Sequence, residues 1–535
     1  MRHQFSVLIV GGGPVGLALA ADLGWRGVRC LLVEQTDGVI THPKANGVNS
    51  RTMEFCRRWG ITKAIRDTGF PNDYPHNEIY VTSLAGHLLA CEEIPTLGDR
   101  QPPPGAAEKY QRIPQTIFDP ILRDLARSFP TVSLRYRLSC NSVTQDTEGV
   151  TAQLTDLDRG NEEQVWAQYV VSCEGANSSI REALGIKMEG TEVLTYASNI
   201  LFRAPNLLTL HDKGPGRSYV AIGPNGPWAS LIAINGKDLW RLQIRGSRDP
   251  KFWDTMDVDE SIRRFAGMDF PYEVLSEMQW VRRELVAKNY RKDRIFIAGD
   301  AAHQLSPSGS FGMNTGVGDA MDLSWKLQAV LDGWGGSNLL DSYEIERRPI
   351  GVRNVQEATV NFTRIGAHKS RPEILDNTPE GERARKEAGD RISKVMERST
   401  AGIELGYHYE NSPICVPDGT PPPPDDPKIY TPTARPGSRA PHVSIDGNKS
   451  VLDLYGRSFV LLRLGSNAPS VDGFISAADK RGMPLEAIPL DMPELSTMYE
   501  RKLVLVRPDG HVAWRGDSPP NDCEAVIDRV RGAAI

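Results

Sequence analysis

An α/β fold is predicted for this chain, and three observations predict it. A glycine-rich turn, GGGPVG at residues 11–16, stands between an apolar run and a small-residue stretch near the N-terminus. An alternating stretch rich in Trp, Tyr and Gly runs from Asn199 to Gly246. Two apolar runs, SFVLLRLG and LVLVRPDG, follow a proline-rich segment towards the C-terminus. The first implies a Rossmann-like parallel sheet, the second an antiparallel sheet, and the third a small separate α/β unit.

Each element follows from its residues. Phe5 to Val10 is a short apolar run, as a buried parallel strand requires; Pro14 to Trp25 is an amphipathic small-residue helix and Val28 to Glu34 a second strand. Helical patches, Arg51 to Trp59 and Phe118 to Arg127, flank a proline-broken region from Pro71 to Pro104. Leu134 to Leu154 reads as a hairpin and Val170 to Cys173 as another buried strand. Gly-Pro and Asn-Gly turns join antiparallel strands between Asn199 and Gly246. Arg294 to Ala298 is a fourth buried strand. Val317 to Leu331 is a helix, with Val317, Met321, Leu323, Leu327 and Val330 near one stripe. A polar helical region continues through Arg398. Pro417 to Pro436, with four consecutive prolines at 421–424, reads as a linker. The expected nucleotide domain is discontinuous, 1–80, 105–190 and 285–400. The antiparallel sheet domain takes 80–105 and 190–285, the linker 417–436, and the terminal unit 437–535.

At about 150 residues per domain, 535 residues make roughly three domains. Lys+Arg number 62 against 68 Asp+Glu, a net charge of −6, so there is no basic footprint for nucleic acid. A chain 40% hydrophobic and 24% charged is an ordinary globular one, which excludes disordered, collagen-like and coiled-coil classes. No run approaches the ~20 apolar residues of a membrane span. Met1 to Val10 is too short ahead of the glycines to hold a signal peptide. Seven cysteines with no C-x-x-C pair predict free thiols in a reducing, cytoplasmic setting, and no metal site.

The glycine turn has a G-x-G-x-x-G spacing. Gly11 permits the tight turn, Gly13 lets the backbone approach a pyrophosphate, and Gly16 allows close helix packing. The helix N-terminus then aims free N–H groups at the phosphates. Glu34 ends the second strand, where an acid binds ribose hydroxyls and repels a 2′-phosphate. Far downstream, RIFIAGDAAHQLSPSGSFGMNTGVGDAMDLSWKL puts Asp300 at another strand end, and Gly316 to Gly318 lead into a second helix. A cofactor reached by two loops so distant in the chain lies deep in one domain.

These residues resemble the class A flavin-dependent aromatic hydroxylases of the phenol hydroxylase and hydroxyphenylpropionate hydroxylase type. The glycine turn is their first fingerprint. VVSCEGANSSIREALGI at 170–186 is similar to the second, with Glu174-Gly175 in place of Asp-Gly and Arg181 matching. GDAAHQLSPSGSFGMNTG at 299–316 is similar to the third, with Ser306 for a proline and Ser310 for a glycine. Lys44 stands where the family commonly has arginine. The match covers about residues 1–400. The tail resembles the thioredoxin-like domain that closes many of these enzymes, here without C-x-x-C and so structural or dimer-forming.

The resemblance implies a glutathione-reductase-type FAD-binding domain, a substrate-binding sheet domain and a thioredoxin-like domain. It assigns Gly11, Gly13, Pro14, Val15 and Gly16 to the FAD pyrophosphate loop, and Glu34 and Gln35 to the adenosine end. Lys44, Ala45, Arg51 and Gln115 fall on the flavin side, and Val143 on adenine. Asp300 takes the ribityl or pyrophosphate region. Pro307, Gly312, Met313 and Asn314 face the isoalloxazine, and Pro307 also orients substrate or peroxide. The activity implied is hydroxylation of a phenolic ring through a flavin C4a-hydroperoxide, with NAD(P)H as a transient electron donor, O₂ as co-substrate and a homodimer as the working form. Tyr219, Trp228, Trp240 and Arg241 are the pocket candidates. Trp240 and Arg241 point to opposite faces of a strand, so one of them at most meets the pocket. His303 reads as a structural hydrogen-bonding residue, His42 as near the ring or in solvent, and no catalytic base is assigned. A Baeyer–Villiger oxygenase on the same fold and a non-catalytic flavin-binding protein are the alternatives.

Overall fold

The computed structural model of the chain describes residues 3–366, 370–394, 399–447 and 449–533. Its first sheet has the order Arg291–Lys292, Ile295–Ile297, Glu162–Ser172, His3–Val10, Cys30–Glu34, Val132–Tyr136. From Ile295–Ile297 onward the neighbours in that path are parallel. These strands are apolar on both faces because helices cover one and the antiparallel strands Leu138–Gln145 and Val150–Asp156 cover the other, and a parallel sheet needs both faces covered. Helix Pro14–Trp25 begins and ends where the sequence predicts. It is buried from Gly16 to Gly24, so its pattern is apolar nearly all round. Helices Gln115–Arg127 and Gly312–Leu331 pack with it in one core.

Two elements differ from expectation. The Leu134–Leu154 hairpin is split. Leu138–Gln145 and Val150–Asp156 pair antiparallel, but Val132–Tyr136 joins the edge of the parallel sheet. Arg137, at φ 58°, makes the left-handed kink between them. The Val317 helix starts at Gly312, one turn and a half earlier. Ser310, at φ 60°, closes the preceding loop, and the small, polar first turn carries no apolar stripe to reveal it. The polar helical region consists of Asp341–Gly366 and Pro379–Ser393; the end of that expectation, 395–398, lies outside the described residues.

The second sheet has the order His303–Gln304, Glu273–Ala287, Met188–Arg203, Leu239–Ser247, Gly226–Ala233, Ser218–Gly223, Glu78–Val81, Leu88–Glu92. Helix Val258–Ala266 and the segment around Phe70, Tyr74 and Leu97 close one of its faces into a core. The other face looks back at the loops of the first domain. The C-terminal unit has a four-stranded sheet, Leu485–Leu490, Phe459–Leu464, Leu503–Val506, Val512–Gly516, with helices Asp472–Asp479 and Cys523–Val530. It docks on the back of Gly312–Leu331, where Trp325 and Trp334 stack at 6.4 Å and both meet Phe459. Buried Arg507 bonds Asp322 (3.1 Å) and Glu346 (2.6 Å) across that junction and Asp509 (2.6 Å) within its own unit. Such a network adds little net stability, but removing one member strands the others without water. The proline-rich segment runs as extended chain tied down by Arg353–Asp425 and Arg515–Asp418. No helix among the described residues is long and apolar enough to cross a membrane.

Candidate active site

The glycine turn divides its labour. Gly11 has φ 111°, and a Cβ there would lie 2.3 Å from the Cys173 carbonyl oxygen. A Cβ on Gly16 would lie 2.0 Å from the Gly11 carbonyl oxygen. Both glycines are thus required by the protein's own packing. Gly13 is different: a Cβ there would meet nothing within 4 Å. Gly13 also caps helix Pro14–Trp25 in extended backbone with no side chain on the first-turn N–H groups. Open space in front of free helical donors is what an anionic group needs. Pro14 and Val15 line the same turn half-buried. Glu34 accepts the Gly12 N–H at 2.6 Å and the Thr36 N–H at 2.8 Å, which fixes its carboxylate beside the turn. Gln35 is exposed next to it, and Val143 is half-buried against the first sheet's outer cluster.

Glu174 departs from the aspartate of the resemblance and is satisfied where it is. It accepts from Ser172 (2.8 Å), Ser178 (2.6 Å) and Ser179 (2.7 Å) hydroxyls and from the Ile180 N–H. The extra methylene lets it reach across this serine ring. Arg181 donates to the Ala176 carbonyl at 3.1 Å.

At the other end of the crevice, the Lys44 N–H donates to Gln115 Oε1 at 3.2 Å and the Gln115 N–H to the Ala45 carbonyl at 2.9 Å. The Lys44 side chain is exposed. Asp300 keeps surface at the crevice mouth, but the protein packed around its carboxyl strips water from it and pushes its pKa up, against the pull of His303 and Lys44. Behind it, buried Asp319 accepts from the Gly299 N–H (3.1 Å), His303 Nε2 (2.7 Å) and Arg347 Nε (2.9 Å). His303 is therefore a structural hydrogen-bonding residue. Asn314 accepts the Asn49 N–H at 3.0 Å and donates to the Gly47 carbonyl at 3.1 Å, tying the second helix to the 44–49 loop. Gly312 faces open space, Met313 is half-buried and Pro307 is exposed on the loop before them. No side chain caps this helix N-terminus either. Two uncapped helix ends, the open site at Gly13 and the ribose-type acid fit an adenine dinucleotide with a flavin at its far end.

Four expected positions are engaged within the protein itself. Arg51 is buried and already engaged: its Nη1 donates to Glu54 at 3.0 Å, its Nη2 to the Asp509 carbonyl at 2.8 Å, and it stacks 4.4 Å from the Phe55 ring. It ties the nucleotide domain to the C-terminal unit. Tyr219, Trp228 and Trp240 pack in or against the core beneath Val258–Ala266. Strand parity puts that face opposite to Arg241. Arg241 is the one that looks at the first domain, with Nη1 donating to the Pro43 carbonyl at 2.7 Å. From the same face Ser276 Oγ meets His42 Nδ1 of the 42–46 loop at 2.9 Å, and burial holds this imidazole down to about 4. Sequence reasoning missed Arg245, Arg282, Asn199 and Trp280. Arg245 was within reach, as the second same-face neighbour of Arg241 along one strand. Arg282 and Trp280 arrive from another strand, and no local pattern links them.

Residues 4–358 match the FAD binding domain family, and residues 433–534 match the aromatic-ring hydroxylase C-terminal family. The chain belongs to the class A flavin-dependent aromatic hydroxylases. It is an FAD-dependent monooxygenase, with FAD as its cofactor. The hydroxylase is 33% identical to the 4-methyl-5-nitrocatechol 5-monooxygenase of a Burkholderia species, over 98% of this chain and 96% of that one. It superposes on the rebeccamycin biosynthetic enzyme RebC with reduced flavin at a TM-score of 0.93, with 40% identity and full coverage of both chains. Aklavinone-11 hydroxylase, solved with FAD and aklavinone, gives a TM-score of 0.82 at 29% identity and 99% coverage of each chain.

Proposed function

We propose that this hydroxylase uses NAD(P)H and O₂ to place one oxygen atom on a phenolic ring bound between the flavin crevice and the Arg241 face of the antiparallel sheet. The observation that carries the reading is that contact of sheet and loop: Arg241 and Ser276 reach the 42–46 loop, next to Lys44, so the sheet roofs the flavin end of the crevice. A catechol in the name of one relative and aklavinone bound to another support an aromatic, hydroxyl-bearing substrate.

When bound, FAD supplies the redox chemistry between nicotinamide, O₂ and ring. The chain's own residues do the rest. Gly13 and the first turn of Pro14–Trp25 take the pyrophosphate, Glu34 the ribose, and Lys44, Ala45, Gln115 and Asp300 the flavin side. Gly312, Met313 and Asn314 present the second helix end to the ring system, with Pro307 beside the reacting atoms. The roof of sheet residues excludes water, which protects reactive oxygen from wasteful loss. One strand-embedded glycine fingerprint leaves the nicotinamide no Rossmann site of its own, so it binds transiently. The C-terminal unit is proposed to be thioredoxin-like: its sheet places its four strands in the order second, first, third, fourth, with helices after the first, second and fourth. Its single cysteine, Cys523, gives it no dithiol chemistry.

The test is a screen of phenols, aromatic acids and hydroxylated polycyclics with O₂ uptake, NAD(P)H oxidation and product mass. Stimulated oxidation with a product heavier by one oxygen atom is expected. Reduced nicotinamide consumed with no oxygenated product from any ring would overturn the reading.

A further inference from the structure

A cleft of about 340 Å³, measured out to its mouth, lies between helix Ser50–Arg58 and the C-terminal unit. Arg51, Arg57 and Arg58 line it from the helix, and Asp453 and Gly510 from the C-terminal unit. Arg51 and Arg58 both stand over the Phe55 ring, at 4.4 and 5.7 Å from its centroid. Arg51 is 6% exposed. Arg58 is half-buried, with its Nη1 shut off from water. Arg51 Nε and Arg58 Nη1 find no hydrogen-bond partner among the described residues.

The acids at the cleft are already spent. Glu54 accepts from Arg51 at 3.0 Å, from Arg439 Nε at 2.9 Å and from the Ala107 N–H at 3.1 Å. Asp453 accepts from Arg57 at 2.7 and 2.8 Å and from the Ser450 N–H at 2.8 Å. Arg57 also reaches Glu108, which Arg66 pairs in turn. Arg51, Arg57, Arg58, Arg66 and Arg439 thus face three carboxylates, Glu54, Glu108 and Asp453, a surplus of two positive charges. The next acids, Asp22 and Asp509, are held by Arg26 at 2.7 Å and Arg507 at 2.6 Å. Burial therefore outweighs them and holds Arg58 down to about 10, with Arg26 and Arg51 adding like-charge repulsion. A desolvated cation without a counter-charge is costly, and an anion brought by a ligand removes that cost.

We propose that this cleft is a binding site for a small dianion of the phosphate class, which bridges helix Ser50–Arg58 to the C-terminal unit. The idle N–H groups of Arg51 and Arg58 donate to its oxygens, and its two charges match the surplus. The site has a line to the cofactor. Asn49 caps the same helix by accepting the Thr52 N–H at 2.9 Å, and its own N–H donates to Asn314 Oδ1 at 3.0 Å. Filling the cleft therefore docks the C-terminal unit and steadies the 44–49 loop together.

The test uses the flavin-saturated holoenzyme in a phosphate-free buffer at about pH 8, where a phosphate group is a dianion. It is titrated with inorganic phosphate and, separately, with glycerol phosphate, while sodium chloride keeps the ionic strength constant and the thermal unfolding midpoint is followed. A saturable rise in the midpoint is expected. Arg58→Gln should raise the phosphate concentration needed by about ten-fold, and Arg58→Lys, which keeps the charge and loses the planar fork, should fall between. A stronger response to glycerol phosphate supports the site with a phosphate ester as its occupant, and a response to inorganic phosphate alone supports it with the free ion. No saturable rise with either probe overturns the proposal, as does an equal response in wild type and R58Q. If R58Q does not fold, hydrogen exchange of the wild type decides: phosphate should slow exchange in residues 50–58 and 450–456, and unchanged exchange there overturns the proposal. None of these readouts needs turnover, so they stand apart from the reading of the ring substrate.

Discussion

Arg282 donates through Nη1 to the hydroxyl of Ser306 at 2.8 Å, and both residues are buried. Ser306 occupies a position where the family pattern has proline, which offers no side-chain acceptor. The substitution therefore supplies a partner to a guanidinium brought in from the antiparallel sheet. Ser306→Ala should destabilise the protein by about 1–3 kcal/mol, the cost of an unanswered buried charged donor. Ser306→Thr should recover most of it. Urea unfolding of the three proteins measures this, and an alanine variant as stable as wild type would show the bond to be idle.

The two kinds of glycine in the turn should fail differently. A Cβ at residue 13 meets no protein atom within 4 Å, and φ −73° suits any residue, so Gly13→Val should fold with a normal circular dichroism spectrum. It should nevertheless purify colourless, because the side chain fills the pyrophosphate space. Gly16→Val drives a side chain into the Gly11 carbonyl and should yield little soluble protein.

His511 gives a stability that depends on pH. It is buried beside Asp509, which raises its affinity for protons; desolvation, Arg51 and Arg507 outweigh that and hold it down to about 4. Unfolded, it titrates near 6.5. The contribution is complete above about pH 6.5 and is lost as pH falls towards 4, because only the unfolded chain takes up the proton there. It amounts to about 3 kcal/mol over that window. Asp119, pushed up to about 7 by burial, works in the opposite direction. The measurement is thus the difference in urea midpoint between pH 7 and pH 4.5 for wild type against His511→Gln, and the variant should lose less.

Trp240 tests which face of the sheet is functional. It is 1% exposed, and its Nε1 donates to the Ala204 carbonyl at 3.3 Å. Trp240→Phe should lower stability by about 1–3 kcal/mol through lost packing and that bond. KM for any turned-over phenol should stay unchanged. A large rise in KM at constant stability would place Trp240 at the substrate after all.

The features legible from the chain alone were those carried by neighbours in sequence. A tight turn, a helix that follows it and an acid at the next strand end lie within some thirty residues, and backbone sterics and helix-end donors act over just that range. Helix Pro14–Trp25 and the structural role of His303 were readable for that reason. The face that looks at the first domain was not. Strand parity separates Trp240 from Arg241 without saying which of the two faces the crevice, and only the packing of Val258–Ala266 against one side settles it. Arg51 likewise sits in a motif that resembles a flavin contact, yet its guanidinium is claimed by Glu54 and by a carbonyl of the C-terminal unit. The face that carries Arg241 brings together Arg245 of the same strand with Arg282 from another and, on Phe362, a helix of the first domain. Contacts of that separation leave no periodic trace, because their geometry exists only once three layers have closed on one another.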